Sequence, residues 1–162
     1  MEDEILLSPE GYERLDAELE HLRTVKRREV ATRIKEARAL GDISENAEYD
    51  EAKNSQAFVE GRIITLEKIL RHAVVVDGQD GDPSEVTVGS VVTLKDLDAG
   101  KEYQYTIVGS PEADPGSKKI SYLSPVGKAV FGKKEGDRVK AKLPRGNVEY
   151  LIAKVERARR ED

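Results

Sequence analysis

The chain has 162 residues, of which 36% are charged and 5% aromatic, and its formal net charge is −5. This length suits one ordinary domain or two small ones, and the hydrophobic fraction of 38% favours an elongated or coiled-coil protein over a compact enzyme. The absence of cysteine excludes disulfides, thiolate metal sites, iron–sulfur clusters and a cysteine nucleophile.

The start of the sequence, Met1-Glu2-Asp3-Glu4, is acidic and lacks the features of a signal peptide. The longest apolar runs are far shorter than the ~20 residues that a membrane helix needs. We therefore expect a soluble cytoplasmic protein that has no membrane partner.

The composition changes near residue 77. Residues 77–162 contain five of the six prolines and ten of the 13 glycines, so this half is rich in turns. We predict an N-terminal domain over residues 1–76 and a C-terminal domain over residues 77–162, with a polar linker at the start of the second.

The first half is predicted to be two long helices joined near residue 43. Ser8-Pro9-Glu10 is typical of a helix start, and Gly41 is suited to end the first helix. Residues whose numbers sum to about 86 then face one another, which brings Leu22 opposite Ile63 and Leu19 opposite Leu66. This matching of apolar positions predicts an antiparallel coiled coil, although the step from Leu22 to Val30 interrupts the heptad spacing.

The second half has strand-like patterns over residues 86–94, 103–108, 139–143 and 148–155. A short helix is expected over residues 125–132. We predict an α+β protein in which the helical hairpin precedes a small antiparallel sheet packed on one short helix.

Charge is segregated along the hairpin. Residues 23–38, here called the basic stretch, carry seven basic and two acidic residues, whereas residues 42–51, the acidic segment, carry five acidic and no basic residues. The basic stretch is either a solvated helix face or a surface that attracts phosphates. It has no interleaved aromatic residues, which argues against recognition by base stacking.

Two acids in this segment, Asp42 and Glu45, stand three residues apart. They have an ordinary interpretation as a capping box, with Ser44 as a competing N-cap. They also have a chemical one, because carboxylates bind Mg²⁺ or orient an attacking water. Two exposed carboxylates rarely hold Mg²⁺ alone, so either chemical role needs a second component, and a self-sufficient enzyme is not expected.

The segment Gly41-Asp42-Ile43-Ser44-Glu45-Asn46-Ala47-Glu48-Tyr49 resembles the signature of the Gre family of bacterial transcript cleavage factors. Leu7-Ser8-Pro9-Glu10-Gly11-Tyr12 resembles the opening of that family. Two C-terminal segments, Ser124-Pro125-Val126-Gly127-Lys128-Ala129 and Gly132-Lys133-Lys134-Glu135-Gly136-Asp137, resemble its C-terminal motif. The resemblance therefore covers essentially the whole chain.

The resemblance implies a monomeric elongation factor whose coiled coil enters the secondary channel of RNA polymerase. An FKBP-like C-terminal domain then binds the polymerase at the channel rim. Asp42 and Glu45 are implied to help hold a Mg²⁺ ion and the attacking water at the active site of the polymerase. The polymerase itself then hydrolyses the backtracked 3′ segment of the nascent RNA.

Other contacts are expected from the same resemblance. The candidates for RNA contact are Arg27, Arg28, Arg33, Arg38 and Tyr49, although Tyr49 is better suited to pack the hairpin end. The candidates for polymerase contact are Ser124, Pro125, Gly127 and Lys128, in a segment that is equally suited to the core.

Two other functions stay open at this point. The chain is alternatively a non-catalytic binder of the secondary channel that inhibits the polymerase or competes with other factors, or else a generic coiled-coil adaptor. Anti-cleavage members of the family have rearranged acidic tips, and the Asp-x-x-Glu pair here favours cleavage.

Overall fold

The computed structural model describes residues 4–41, 46–77 and 81–158. The chain divides into two compact units. One unit is Glu13–His72, and the other contains the described parts of Met1–Tyr12 and Ala73–Asp162. The first residues thus belong with the C-terminal unit, which the change of composition near residue 77 does not indicate.

The helical part of the chain consists of α1 (Pro9–His21), a π-helical turn (Leu22–Lys26), α2 (Arg27–Ala39) and α3 (Ala47–His72). Its apolar side chains form a buried seam, which comprises Leu15, Leu19, Leu22, Val30, Ile34 and Ala37 before the connection and Ala52, Val59, Ile63 and Leu66 after it. The predicted helical hairpin is confirmed, and the seam uses the residues that the heptad-like spacing indicates.

The π-helical turn explains the irregular step between Leu22 and Val30. In a regular α-helix, two residues eight positions apart point about 80° away from each other. A π-helical turn takes up one extra residue, because its hydrogen bonds run from i to i+5. Both side chains are therefore buried, with 8% and 6% of their surface exposed. Lys26 stays at the surface, where its ammonium lies 3.3 Å from Glu29.

The other unit contains two sheets. A short parallel pair is formed by β1 (Ile5–Leu7) and β2 (Ala73–Val75). The main sheet has five strands in the order β5-β4-β3-β7-β6. These strands are β3 (Ser90–Asp96), β4 (Glu102–Val108), β5 (Lys119–Ser121), β6 (Arg138–Leu143) and β7 (Gly146–Arg157). Four of them pair in antiparallel fashion, and β5 joins β4 in parallel, so the sheet is mixed.

A short helix, α4 (Pro125–Val130), packs on this sheet and completes the α+β architecture. The core of this sheet is apolar, and Val92, Leu94, Ile107, Val130 and Ile152 are among its fully buried side chains. Within the described residues, none of the helices combines the length and the apolar character needed to cross a membrane.

The strand predicted over residues 86–94 is wrong in its first half. A turn precedes β3, because Gly89 adopts a φ of +96°, which favours glycine. The hydroxyl of Ser90 accepts a hydrogen bond from the Thr87 N–H at 3.0 Å and closes this turn. Val86 and Val88 are nevertheless buried, so their apolar character reflects core packing rather than strand structure.

Ser8 caps α1, as predicted, but it does so with help from a distant residue. Its hydroxyl accepts a hydrogen bond from the Gly11 N–H at 3.0 Å. The same hydroxyl donates to one carboxylate oxygen of Glu112. The other carboxylate oxygen accepts from the Ser8 N–H at 3.0 Å and the Gly109 N–H at 3.2 Å. Glu112 is only 8% exposed, so this buried carboxylate joins the start of α1 to the loop after β4.

We expect the Glu112→Ala substitution to lower the free energy of unfolding of this unit by about 2–4 kcal/mol, because it leaves buried donors without an acceptor. Urea unfolding followed by the near-UV circular dichroism of the tyrosines measures this change. Glu102→Ala, at an exposed position of β4, is the matched control. An equal loss of stability in the two variants would contradict the assigned role of Glu112.

Candidate functional site

Asp42 and Glu45 lie outside the described residues, so their roles stay predictions. The structure does describe the helix ends on either side of them. After α2, Gly41 adopts a φ of +111°, as expected for a residue that ends a helix. On the other side, α3 begins at Ala47.

The N-cap of α3 is Asn46, and not Asp42 or Ser44 as the capping-box interpretation predicts. Its Oδ1 accepts a hydrogen bond from the Tyr49 N–H at 3.1 Å. The helix begins one residue after Asn46, so residues farther upstream are not in the cap position. The cap position of α3 is thus held by Asn46, which the capping-box interpretation does not consider.

Asn46 also contacts the opposite helix. Its Nδ2 donates to the main-chain carbonyl oxygen of Ala37, at 2.6 Å, in the last turn of α2. Close by, the guanidinium of Arg38 lies 5.8 Å from the centre of the Tyr49 ring, within the range of a cation–π contact. Tyr49 thus packs against the hairpin end, in agreement with the structural interpretation of this residue.

Most of the basic stretch is engaged with α3. The Nε and Nη2 atoms of Arg27 each lie 2.8 Å from the carboxylate of Glu60. Arg23 pairs with Glu67 at 2.7 Å. The Nη1 of Arg33 donates to the Ser55 hydroxyl at 3.3 Å. These cations help to set the register between the two helices.

Arg28 differs from the other predicted RNA contacts. Within the described residues it makes no hydrogen bond or ion pair, and its side chain is exposed. Lys35, which was not among the predicted contacts, has the same properties and stands seven positions later on the same helix face, about 10 Å along α2. Among the cations of α2, Arg28 and Lys35 are therefore the two for which the described residues show no side-chain contact. Counting charges along the sequence does not reveal this difference, because it depends on which side chains of α3 lie opposite each cation.

The side chains predicted to bind Mg²⁺ are of the kind that a hard cation prefers. Carboxylate oxygens suit Mg²⁺, which usually takes six oxygen ligands and retains several waters. In the described ranges, no three His, Asp or Glu side chains come together in a way that would hold a metal. Asp42 and Glu45 lie outside these ranges, so the binding of Mg²⁺ by the two acids, with further ligands from a partner, stays a prediction.

The predicted polymerase contacts in the C-terminal unit fall into two pairs. Ser124 caps α4, since its hydroxyl accepts from the Gly127 N–H at 3.1 Å. Gly127 is buried, and a Cβ atom there would lie 2.0 Å from the Ser121 carbonyl oxygen. Pro125 and Lys128 are exposed and remain available to a partner. Sequence analysis did not single out Leu123, which is 52% exposed beside them.

Comparison with known proteins assigns both halves of the chain to one family. Residues 5–75 match the family described as "Transcription elongation factor, N-terminal", and residues 81–157 match "Transcription elongation factor, GreA/GreB, C-term". The chain is 51% identical over 157 residues to the transcription elongation factor GreA of Caldanaerobacter subterraneus subsp. tengcongensis, covering 97% of this chain and 100% of that protein. It is 52% identical over 152 residues to the GreA of Acetivibrio thermocellus, covering 94% and 96% of the two chains. A solved structure of the transcription factor Gfh1 has 32% identity, a TM-score of 0.47, and coverage of 96% and 99%.

The cross-helix ion pairs predict a pH dependence of hairpin stability. Hydrogen bonds from Arg27 and Arg62 lower the pKa of Glu60 and Glu18, respectively. A carboxylate with a lowered folded-state pKa stabilises the fold fully above its ordinary pKa, and this contribution is lost as the pH falls through the lowered value. Replacing both acids by Gln should thus make the melting temperature depend less on pH between about 7 and about 3.

Thermal unfolding followed by far-UV circular dichroism measures this dependence. The expected difference is small, because both pairs are at the surface. Glu13→Gln combined with Glu20→Gln removes the same charge from exposed positions of α1 and is the control. A parent protein and a Glu18→Gln/Glu60→Gln variant with identical pH profiles would contradict the prediction.

Proposed function

Because the chain belongs to the GreA/GreB family of transcription elongation factors, we propose that it stimulates transcript cleavage by bacterial RNA polymerase. The helical hairpin enters the secondary channel of the polymerase. There it promotes the Mg²⁺-dependent hydrolysis of backtracked nascent RNA by the polymerase itself. Arrested complexes then resume elongation. The protein acts as a monomeric cytoplasmic factor and is not an enzyme on its own.

One observation carries this proposal: the Asp42/Glu45 pair lies in the chain between the end of α2 and the start of α3, which pack into a hairpin. The 26 residues of α3 correspond to a helix about 39 Å long. A two-helix element of this length and narrow cross-section is suited to carry a short segment into a channel. The buried seam and the cross-helix ion pairs support its fixed shape.

The carboxylates of the two acids can take part in the hydrolysis of a phosphodiester in two ways, as metal ligands and as hydrogen-bond acceptors for water. A Mg²⁺ ion, when bound, favours a hydroxide-like water and stabilises the charge on the phosphoryl group. Asp42 and Glu45 provide hard oxygen ligands toward that ion and hold the attacking water by hydrogen bonds. The remaining ligands and the RNA come from the elongation complex, which explains why the factor needs a partner.

We expect the protein to shorten labelled RNA in an arrested elongation complex faster than the polymerase does alone. Asp42→Ala and Glu45→Ala should each reduce this stimulation by about 100-fold or more, since positioned acid–base groups contribute on that scale. Their affinity for the polymerase, measured by competition with labelled parent protein, should change little. Asp50→Ala removes an exposed acid farther along α3 and is the matched control.

The outcomes of this assay separate the alternatives. Binding of the parent protein without cleavage would identify a non-catalytic channel binder. No binding to core polymerase would identify a generic adaptor. If the alanine variants lose affinity for the polymerase by the same factor as they lose stimulation of cleavage, the acids form a docking surface instead.

The exposed cations of α2 are proposed to contact RNA phosphates, and Arg28 is the best of the predicted contacts to test. Arg28→Ala should slow cleavage at low salt and weaken its salt dependence, with the helix content unchanged. Lys68→Ala removes an equivalent charge from an exposed position of α3 and controls for net charge. Equal effects of the two substitutions would show that Arg28 is an ordinary solvated surface residue and makes no specific contact with RNA.

A further inference from the structure

The side-chain amide of Asn46 forms two hydrogen bonds, one through its oxygen and one through its nitrogen. The oxygen accepts from the Tyr49 N–H at 3.1 Å and caps α3. The nitrogen donates to the Ala37 carbonyl oxygen at 2.6 Å and bridges to α2. Only the second bond links the two helices, so the residue is both a cap and a cross-link.

Capping alone does not require asparagine at this position. Ser and Asp cap helices about as well. An ionised Asp has no donor for the Ala37 carbonyl, and Ser has a side chain one bond shorter. The bridge is therefore the property that distinguishes Asn46 from the other good N-cap residues.

The residues around the Asn46–Ala37 hydrogen bond further restrict how the two helix ends pack. Ala37 and Ala52 are 3% and 1% exposed, so the seam near the hairpin end is formed by small, closely packed side chains. The Ala37 carbonyl also accepts from the Leu40 N–H at 3.2 Å, in the turn that ends α2. The Arg38–Tyr49 contact adds a second link between the same two helix ends.

We propose that Asn46 is a positioning residue for Asp42 and Glu45. Its bridge fixes the separation and rotation of the end of α2 and the start of α3, and the two acids lie between these ends in the chain. The rate of cleavage depends on the separation and rotation of these helix ends, because a displacement of about 1 Å in a reacting group can lower the rate about 100-fold. The inference rests on the proposed function and adds a residue that acts through the placement of the two acids.

The first test measures the bridge in the free protein. The chain has no cysteine, so Leu40→Cys and Glu51→Cys allow two spin labels to be placed on exposed residues at opposite helix ends. Pulsed electron paramagnetic resonance then gives the distribution of distances between them. We expect Asn46→Ser and Asn46→Asp to broaden this distribution while the helix content stays constant. Asn54→Ser, at an exposed position of α3, should leave it unchanged.

The second test measures cleavage by unlabelled variants at saturating concentrations of factor. We expect Asn46→Ser and Asn46→Asp to lower the maximal rate by about 10- to 100-fold, with the affinity for polymerase preserved. Loss of affinity or of melting temperature in parallel with rate would indicate a merely structural role. The neutral serine variant separates loss of the bridge from the added charge of the aspartate variant.

The two measurements also distinguish failure of this inference from failure of the proposed function. A broadened distribution with an unchanged maximal rate would overturn the role of Asn46 alone. An unchanged distribution in both variants would overturn the bridge itself. A parent protein that does not stimulate cleavage would overturn the proposed function, and the role of Asn46 in it.

Discussion

The buried seam between the helices is the interaction on which the hairpin depends. Helices as polar as α2 and α3 are marginal in isolation, and burial of an apolar stripe supplies most of their stability. The arginine–glutamate pairs beside the seam are exposed, and such pairs contribute little free energy. They are better understood as selecting the register in which the seam already packs. The seam ends in two small buried side chains, those of Ala37 and Ala52.

The same constraint explains how the charged residues divide between structure and function. The π-helical turn takes up the extra residue and returns Val30 to the buried face. After the turn, Arg27 and Arg33 both contact side chains of α3. Arg27 and Arg33 point toward acceptors on α3 and hold the register. Arg28 and Lys35 lie on the outer face, where the described residues offer them no acid. A chain with a net charge of −5 thus presents a local positive surface on one helix.

Local sequence patterns predict the long periodic elements and the short helix α4 well, and the three-residue strands poorly. The hairpin, β4, β6 and β7 were predicted because each has a regular apolar period over several residues. The turn at Gly89 and the three-residue strand β5 depend on tertiary contacts that no local pattern encodes. Glu112 was missed for the same reason, since its partners Ser8 and Gly109 are brought together only by the fold. Asp42 and Glu45 were proposed from chemistry and resemblance. The local pattern does not single out Asn46, because Asp42 and Ser44 are equally plausible caps until the start of α3 is known.

The central claim is that the hairpin end reaches the active centre of RNA polymerase beside the 3′ end of the RNA. Its most direct test is a photoactivated crosslinker attached at Leu40→Cys, an exposed position next to the acidic segment in a chain with no other cysteine. Irradiation of an arrested elongation complex with 3′-labelled RNA should attach the protein to the backtracked RNA. Crosslinks confined to the outer surface of the polymerase, with none to RNA, would contradict the claim.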